Sequence, residues 1–407
     1  MDFSQPQTHL NGLTAEEFLR DYWQKKPLLI RGAFPEFAEK GGNPLSPDEL
    51  AGLALEEGIN SRLILGSHRD NQWRVEHGPF AESRFSQLPD SHWSLLVSDI
   101  EKHLPDFATY LAPFRFIPDW RIDDLMVSYA PRGGSVGKHT DEYDVFLLQT
   151  AGQRRWQIEE QRSEAPIIEG LELKLLEQFQ PTQEWLLAPG DMLYLPPGIA
   201  HYGVAEDDDC MTWSIGFRAP SWASLALDLV DTACADLDES QRYHDGDLPR
   251  QSNPAELSSA SLHRVREQLQ NLLTLDDEAL QRWLGSAVSQ QACEFPAIAQ
   301  DEPVDAIDIA SELKSGRCLQ LNPFVRLNFT RSERGGYWAF INGQEHYLDS
   351  PLLPDLCALR QLDANTTDLK PFIADAELLA WLAKGYQHGF WLWQDELGHE
   401  EAEDDND

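Results

Sequence analysis

Gly137-Lys138-His139-Thr140-Asp141 and Pro196-Pro197-Gly198-Ile199-Ala200-His201 are the two stretches of the chain that decide its fold. Side chains two residues apart on an extended backbone project to the same side, so His139 and Asp141 can bind one ligand. His201 adds a second imidazole sixty residues after Asp141. Two imidazoles and one carboxylate on one face of a metal ion are the ligand set of non-haem Fe(II) sites, and they leave other positions open. The sequence therefore predicts a metal site at these three residues.

Short strand-like segments surround these residues, and they favour a metal site over a chance occurrence of the His-x-Asp pair. A His-x-Asp pair alone is weak in a chain with twelve histidines, and either histidine could be an ordinary core residue. The flanking segments are rich in β-branched, aromatic and leucine residues, and Gly, Pro or charged residues separate them. This spacing predicts a jelly roll or related barrel whose interior can hold a small ligand. The segments are Leu125–Tyr129, Asp144–Gln149, Arg155–Ile158, Glu184–Leu187, Asp191–Leu195 and Thr212–Phe217.

Several separate blocks of the chain also resemble one enzyme family. The chain resembles the Jumonji-type 2-oxoglutarate oxygenases, and within them the bacterial ribosomal oxygenases that hydroxylate an arginine of the sixteenth large-subunit ribosomal protein. Besides the two opening stretches, the likeness extends over Phe18–Leu28, Ser46–Ala54, Asp119–Met126, Gly152–Trp156, Tyr194–Gly198 and Gly216–Pro220.

The resemblance implies a role for each candidate site residue. His139, Asp141 and His201 fall on the iron ligands and are the predicted catalytic residues. Arg154 falls on the basic residue that pairs with the distal carboxylate of 2-oxoglutarate, and Ser128 falls on a hydroxyl that assists it. Fe(II) is the implied cofactor, with 2-oxoglutarate and dioxygen as cosubstrates.

The choice between Arg154 and its neighbour Arg155 depends on strand register. A guanidinium holds a carboxylate through two parallel hydrogen bonds and stays charged inside a barrel. Alternation along the strand turns Arg155 the other way, and a shift of one residue would exchange the two roles. We predict that Arg154 faces the cavity.

The resemblance implies 3-hydroxylation of an arginine side chain, and alternatives remain open at this point. Related animal enzymes hydroxylate histidine, and acidic groups near the iron would favour arginine instead. Asp144 and Glu142 are candidates for that acidic contact, although either can simply be a surface residue. Outside this chemistry, the chain can be a cupin-like protein that binds metal without oxidation, or an acidic interaction platform.

The acidic composition limits the kinds of molecule that this protein can bind. The formal charge of −37 and the pI near 4.5 argue against direct binding to nucleic acid, because phosphates would be repelled. An acidic surface attracts basic polypeptides such as ribosomal proteins, although acidity also serves solubility alone. The five cysteines are scattered without a Cys-x-x-Cys pair, and the sequence contains no apolar run of membrane-spanning length. We expect a cytoplasmic protein without a signal peptide or membrane partner.

The chain is expected to have an α+β organisation. Residues 1–220 would form the double-stranded β-helix (jelly-roll, cupin-like) catalytic domain with an N-terminal extension of helices and strands. Residues 221–300 would form a helical region, and 301–395 a C-terminal winged-helix-like domain. Residues 396–407 would be a disordered acidic tail. The leucine-rich helical region can pack on the barrel, but the resemblance favours a homodimer interface. A winged helix can bind DNA; here the acidic balance favours a protein-contact or structural role.

Local signals predict where several elements begin and end. Capping boxes at Thr14–Glu17 and Ser46–Glu49 predict two N-terminal helices. A further helix is predicted from the strand at Trp93–Val97 to about Leu111. In the helical region, Asn253-Pro254 is interpreted as the start of a long helix. Asn342-Gly343 predicts a hairpin turn in the last domain.

Overall fold

The chain divides into two compact units between Ala219 and Pro220. The structure is a computed structural model that describes residues 9–10, 12–39, 41–67, 72–235, 237–238, 240–290 and 303–396. The predicted acidic tail beyond Glu396 lies outside the described residues. The predicted further boundary near residue 300 stays a prediction.

The first unit is mainly β structure. Its helices are α1 (Ala15–Asp21), α2 (Pro47–Leu53), α3 (Glu82–Phe85) and α4 (Ile100–His103), with 3₁₀ segments at Pro35–Ala38, Pro105–Phe114 and Asp119–Arg121. Its strands are β1 (His9–Leu10), β2 (Leu13–Thr14), β3 (Leu28–Ile30), β4 (Ser61–Ser67), β5 (Gln72–His77), β6 (Trp93–Val97), β7 (Leu125–Ala130), β8 (Asp144–Ala151), β9 (Arg154–Arg162), β10 (Gln183–Leu187), β11 (Met192–Leu195), β12 (Ile199–Ala205) and β13 (Cys210–Phe217).

Two antiparallel sheets form the barrel. The larger sheet has eight strands in the order β3-β11-β8-β13-β7-β6-β4-β5, and the smaller has the order β10-β9-β12. From β8 onward the chain passes between the two sheets four times, at β8–β9, β10–β11, β11–β12 and β12–β13, as in a jelly roll. The N-terminal strands β4, β5 and β6 extend the larger sheet beyond the barrel, as part of the N-terminal extension of helices and strands.

Apolar side chains fill both faces of the larger sheet. Between the sheets lies a core contributed by both of them. On the other face a larger aromatic core packs the N-terminal helices and the 3₁₀ segments against the sheet. The metal-site residues lie on the side that faces the smaller sheet. The inner core comprises Val145, Leu147, Trp156, Ile158, Leu187, Leu193, Leu195 and Ile199.

The helix starts of the first unit follow the sequence, but one predicted helix is wrong. Both capping boxes form: the hydroxyls of Thr14 and Ser46 accept from the backbone N–H three residues on. The helix predicted from Val97 to Leu111 is instead the short α4 followed by a 3₁₀ segment. Pro105 explains the break, because the residue before a proline avoids the helical conformation and Leu104 is extended there (φ −120°, ψ 90°).

The second unit is mainly helical and carries two small sheets. Its helices are α5 (Trp222–Ala235), α6 (Ser259–Leu273), α7 (Asp277–Ser289), α8 (Ala306–Ser315), α9 (Leu353–Leu359), α10 (Lys370–Ala374) and α11 (Ala376–Gln387), with a 3₁₀ segment at Gln394–Glu396. Its strands are β14 (Leu319–Leu321), β15 (Leu327–Arg331), β16 (Tyr337–Ile341), β17 (Gln344–Leu348), β18 (Gln361–Leu362) and β19 (Trp391–Trp393).

The hairpin of the second unit forms as predicted, whereas α6 begins later than predicted. Asn342 and Gly343 both have positive φ (48° and 79°), as a two-residue turn between β16 and β17 requires. The helix expected from Asn253 starts at Ser259, because the Ser258 hydroxyl accepts from a backbone N–H and caps it. Among the described residues no helix is long and apolar enough to span a membrane.

Candidate metal centre and its cavity

The two predicted histidine ligands are brought together by a short antiparallel bridge. The backbone N–H of His139 donates to the carbonyl of His201 at 3.1 Å, and the reverse bond is 2.9 Å long. Gly198 N–H donates to the Asp141 carbonyl at 2.7 Å, which holds the approach to β12 against the same segment. The turn at Gly198 needs positive φ (80°), so glycine suits it.

The three side chains converge on one point. One donor atom from each of His139, Asp141 and His201 lies within 4.8 Å of the others. The Asp141 carboxylate lies 3.8 Å from His139 Nε2 and 3.5 Å from His201 Nε2. Within the described residues no other group of three such side chains meets this condition. The structure thus brings together the three residues that the sequence singled out.

Hydrogen bonds fix which imidazole nitrogens point at the centre. His139 Nδ1 lies 3.0 Å from the Gly137 carbonyl, and His201 Nδ1 lies 2.9 Å from the Ile199 carbonyl. A carbonyl only accepts, so each Nδ1 carries the hydrogen and each Nε2 keeps a free lone pair. A carbonyl on the second nitrogen is the usual support for a histidine that binds metal.

Burial and charge keep the His201 ring neutral. Burial, followed by the nearby His139 ring, lowers the pKa of His201 to about 4, while the Asp141 carboxylate opposes this shift. Its ring is 2 % exposed, against 22 % for His139. A neutral imidazole is the form that binds a metal ion.

A cavity of about 330 Å³ opens beside the three side chains, between the two sheets. Arg154 and Ser128 line it together with the triad. The Ser128 hydroxyl donates to the Thr212 carbonyl at 3.2 Å. Sequence reasoning missed other lining residues. They are Met126, Tyr143, Leu147, Trp156, Thr212 and Ser214.

Strand alternation could have identified two of these missed residues. Tyr143 follows Asp141 by two residues, and Trp156 follows Arg154 by two, so each shares a side with a predicted residue. The large Trp156 ring fits because Gly203 lies opposite on β12; a Cβ there would stand 2.7 Å from the ring. Burial raises the pKa of the Tyr143 hydroxyl, with Asp141, Asp124 and Asp123 adding to the shift.

Arg154 and Arg155 point in opposite directions. Arg154 is 2 % exposed; its Nε contacts Cys210 Sγ at 3.4 Å, and its Nη2 has no hydrogen-bond partner among the described residues. Arg155 faces outward and pairs with Glu206 at 2.6 Å and Glu184 at 2.7 Å. The register is therefore the one that turns Arg154 toward the cavity.

The candidate acidic contacts Asp144 and Glu142 do not lie in the cavity. Asp144 is fully buried on the opposite face of β8, where its carboxylate accepts from Tyr194 at 2.6 Å and from Gln24 at 2.9 Å. The prediction for Asp144 is wrong because β8 turns Val145 and Leu147 to the cavity instead. The Glu142 side chain is 81 % exposed and lies 3.7 Å from Arg162.

Comparison with known proteins assigns both units. A family model for the JmjC domain matches residues 109–225, and one for the ROXA-like winged helix matches residues 267–392. The chain is 36 % identical to the Ribosomal protein uL16 3-hydroxylase of Escherichia coli over 379 residues, which cover 93 % of this chain and 97 % of that protein. The chain belongs to the JmjC ribosomal oxygenases. The oxygenase is also 36 % identical to a Probable ribosomal oxygenase of Haemophilus influenzae over 79 % of its length and 80 % of that protein.

Solved structures agree with this assignment. An X-ray structure of Escherichia coli YcfD superposes on the oxygenase with a TM-score of 0.81 at 34 % identity, covering 95 % of this chain and 100 % of that one. YcfD in complex with cobalt and 2-oxoglutarate gives a TM-score of 0.77, at 34 % identity and 95 % and 99 % coverage. The predicted fold class is confirmed: a JmjC cupin-like barrel, helices and a C-terminal winged helix.

Proposed function

We propose that this oxygenase is an Fe(II)- and 2-oxoglutarate-dependent hydroxylase that 3-hydroxylates an arginine side chain of the large-subunit ribosomal protein uL16. One observation carries the proposal: three metal-donor atoms within 4.8 Å share a cavity with a buried guanidinium that has an unpartnered nitrogen. The donor set fits Fe(II), and the unpartnered cation fits a dicarboxylate.

Each residue has a distinct role in this proposal. His139, Asp141 and His201 would hold the iron and are the catalytic residues. Arg154 would bind the distal carboxylate of 2-oxoglutarate, and the Ser128 hydroxyl would donate to it. Iron held by these residues would supply, with 2-oxoglutarate and dioxygen, an oxidation that converts the oxoacid to succinate and carbon dioxide and adds one oxygen atom to the substrate. The surrounding apolar residues keep water from this reaction.

Charge near the cavity favours arginine over histidine as the target. Tyr143 lines the cavity and the Asp124 carboxyl acts on it electrostatically, whereas the neighbouring Asp123 is already paired with Arg218 at 3.1 Å. Burial raises the pKa of Asp124 to about 7, so an arriving cation would favour its ionised form. A guanidinium gains from such a carboxyl, whereas a neutral imidazole gains less. Histidine hydroxylation is the alternative, because Ser214 and Thr212 also offer hydroxyls.

A peptide assay tests the proposal. The purified oxygenase is incubated with Fe(II), ascorbate, 2-oxoglutarate and a uL16 peptide, beside the same peptide with histidine in place of arginine. We expect the arginine peptide alone to gain the mass of one oxygen atom, and His139→Ala to abolish the gain. Turnover of 2-oxoglutarate without modification of either peptide would contradict the substrate. Full activity of His139→Ala would contradict the mechanism.

We also infer that the oxygenase is a cytoplasmic homodimer that contacts no nucleic acid directly. Three exposed apolar side chains of α6 support the dimer, namely Leu262, Val265 and Leu269, which are 54 %, 46 % and 53 % exposed. Such a stripe on one helix face is typical of an interface. The net charge of −37 supports a basic protein as the partner instead of nucleic acid.

A further inference from the structure

A dianionic cosubstrate approaches this protein against a strong electrostatic barrier. The chain carries a formal charge of −37, so its general surface repels anions. The candidate group that binds the dianion, the Arg154 guanidinium, lines the cavity and is 2 % exposed. Rapid binding therefore requires local cations along the path between solvent and Arg154.

Two cations that the proposed mechanism does not use line the same cavity. They are Arg62, on the outer strand β4, and Lys174, in the segment between β9 and β10. Lys174 is exposed, Arg62 is half-buried and Arg154 is buried, so solvent reaches Lys174 and Arg62 more readily than Arg154. Arg62 and Lys174 thus place two solvent-accessible positive charges on the wall of the cavity that also holds the Arg154 guanidinium.

Arg62 lies in the same cross-strand row as the predicted cosubstrate residue Ser128. Successive antiparallel pairs place Arg62 opposite Leu96, and Leu96 opposite Ser128. Two strand spacings separate the Cα atoms of Arg62 and Ser128 by about 10 Å, a gap that the long arginine side chain largely spans. The row consists of Arg62, Leu96, Ser128 and Thr212, and all four residues line the cavity.

The charge of Arg62 is not neutralised within the described part of the first unit. Three arginines there have no carboxylate oxygen within 4.0 Å, and two of them, Arg62 and Arg154, line the cavity; the third is Arg132. Glu172, the acid of the β9–β10 segment that lines the cavity, lies 2.5 Å from the His77 ring and forms no ion pair with Arg62 in the described part of the unit. An unneutralised arginine in so acidic a protein is available to an anion.

We propose that Arg62 and Lys174 form an entry site that draws the dianionic 2-oxoacid into the cavity and passes it to Arg154. The inference rests on the proposed function, because it assumes 2-oxoglutarate as the cosubstrate. Arg62 acts on the rate of arrival, whereas Arg154 determines how tightly the distal carboxylate is held. A cationic entry raises association rates by focusing the field, and salt screens that effect.

The association rate constant of 2-oxoglutarate tests the entry site directly. Full-length protein loaded with Mn(II), which holds the cosubstrate without turnover, is mixed with 2-oxoglutarate. Binding is followed by the change in intrinsic tryptophan fluorescence, with a Trp156→Phe variant identifying the contribution of the cavity residue. We expect Arg62→Gln to lower the rate constant by about 3- to 10-fold at an ionic strength of ~0.02 M. The difference between the variant and the wild type should vanish at ~0.5 M. Lys174→Gln should act in the same direction.

Three controls separate entry from other effects. Arg62→Lys keeps the charge and should keep the rate. Arg132→Gln removes an exposed arginine that also lacks a carboxylate partner but lies outside the cavity lining, and it should leave the rate unchanged. With 2-oxobutyrate, which lacks the distal carboxylate, the effect of Arg62→Gln should shrink.

The possible failures are distinguishable. An unchanged rate constant in Arg62→Gln, or an equal loss in Arg132→Gln, overturns the entry site while the proposed function stands. A change in the KM of the peptide alone assigns Arg62 to the protein substrate and also overturns it. A wild-type protein that binds no 2-oxoglutarate overturns the proposed function together with the inference.

Discussion

Arg154 is a buried cation held with little compensation from the protein. Its Nε contacts the weak acceptor Cys210 Sγ and its guanidinium lies 5.8 Å from the centre of the Trp156 ring, but in the described part of the chain its Nη2 has no hydrogen-bond partner. An unsatisfied buried donor costs roughly 1–3 kcal/mol, and a charged one costs more. A fold tolerates such a cost where a ligand supplies the missing acceptor, so Arg154 should lower stability until an anion binds.

Replacement of Arg154 by Met should therefore separate stability from ligand binding. We expect Arg154→Met to raise the free energy of unfolding of the ligand-free protein by about 1–3 kcal/mol, because the unpartnered donors are removed. The same variant should lose most of the stabilisation that 2-oxoglutarate gives the Mn(II)-loaded wild type. Urea denaturation with and without 2-oxoglutarate measures both effects.

Arg155→Met provides the matched control, because Arg155 is exposed and paired with Glu184 and Glu206. It should leave the ligand-induced stabilisation intact and change stability little. Loss of that stabilisation in Arg155→Met but not in Arg154→Met would reverse the assignment of the two residues.

The sequence predicted those site residues that depend on local rules. Strand alternation distinguishes Arg154 from Arg155, and the same rule would have found Tyr143 and Trp156. Arg62 carries no such signal, because it reaches the cavity only through the pairing of β4 with β6 and of β6 with β7. The strand β4 ends at Ser67, 70 residues before Gly137, and its place in the sheet is not encoded in the spacing of the motif.

At the scale of elements, Glu101 ties α4 to the start of β7. Its carboxylate accepts from the backbone N–H of Leu125 at 2.9 Å, beside the strand that carries Met126 and Ser128 into the cavity. Burial raises the pKa of Glu101 to about 8, an effect that Asp124 reinforces and Lys102 opposes. The folded state therefore keeps a proton that the unfolded chain releases near its ordinary pKa of 4.5.

The sign of the pH effect follows from this difference. Between pH 4.5 and about 8 the folded state binds more protons at Glu101 than the unfolded chain does. The free energy of unfolding therefore falls as the pH rises through this range, and the contribution of Glu101 is constant above about pH 8. We expect Glu101→Gln, which keeps an acceptor for Leu125, to be more stable than wild type at pH 8 and nearly equal at pH 5. The difference should grow by on the order of 1 kcal/mol per pH unit.

Urea melts of the two proteins across this pH range measure the effect. Asp99→Asn removes a carboxyl whose charge adds to the raised pKa of Glu101, so it should reduce the pH dependence without abolishing it. A Glu101→Gln curve that runs parallel to the wild type at all pH values would contradict a buried protonated carboxyl.

Element boundaries were predictable where the deciding group is adjacent in sequence. The capping boxes at Thr14 and Ser46 and the turn at Asn342-Gly343 are local, and they form. Apolar periodicity alone placed the helix before Leu111 wrongly, because it did not weigh Pro105. The start of α6 was ambiguous for a related reason: several residues near it are possible caps, and the structure uses Ser258.

At the scale of the whole molecule, one net charge acts oppositely on the two proposed substrates. The charge of −37 attracts a basic ribosomal protein and repels the dianionic oxoacid. Local cations at Arg62 and Lys174 would reverse the field only at the cavity. The acidic surface would then attract the basic protein substrate at long range, while the cations at the cavity would still admit 2-oxoglutarate.

The proposed homodimer gives the remaining prediction at this scale. Leu262, Val265 and Leu269 follow the helical repeat along one face of α6, and none of them is buried within the chain. A charge on that face should abolish association, because it would be buried in the interface without a partner. We expect Leu269→Glu to have the mass of one chain in sedimentation or light scattering, whereas the wild type should have twice that mass.

Asn271→Glu is the matched control. It adds the same charge on the opposite, exposed face of α6 and should remain dimeric. Equal masses for the wild type and Leu269→Glu would show that this face is not the dimer interface.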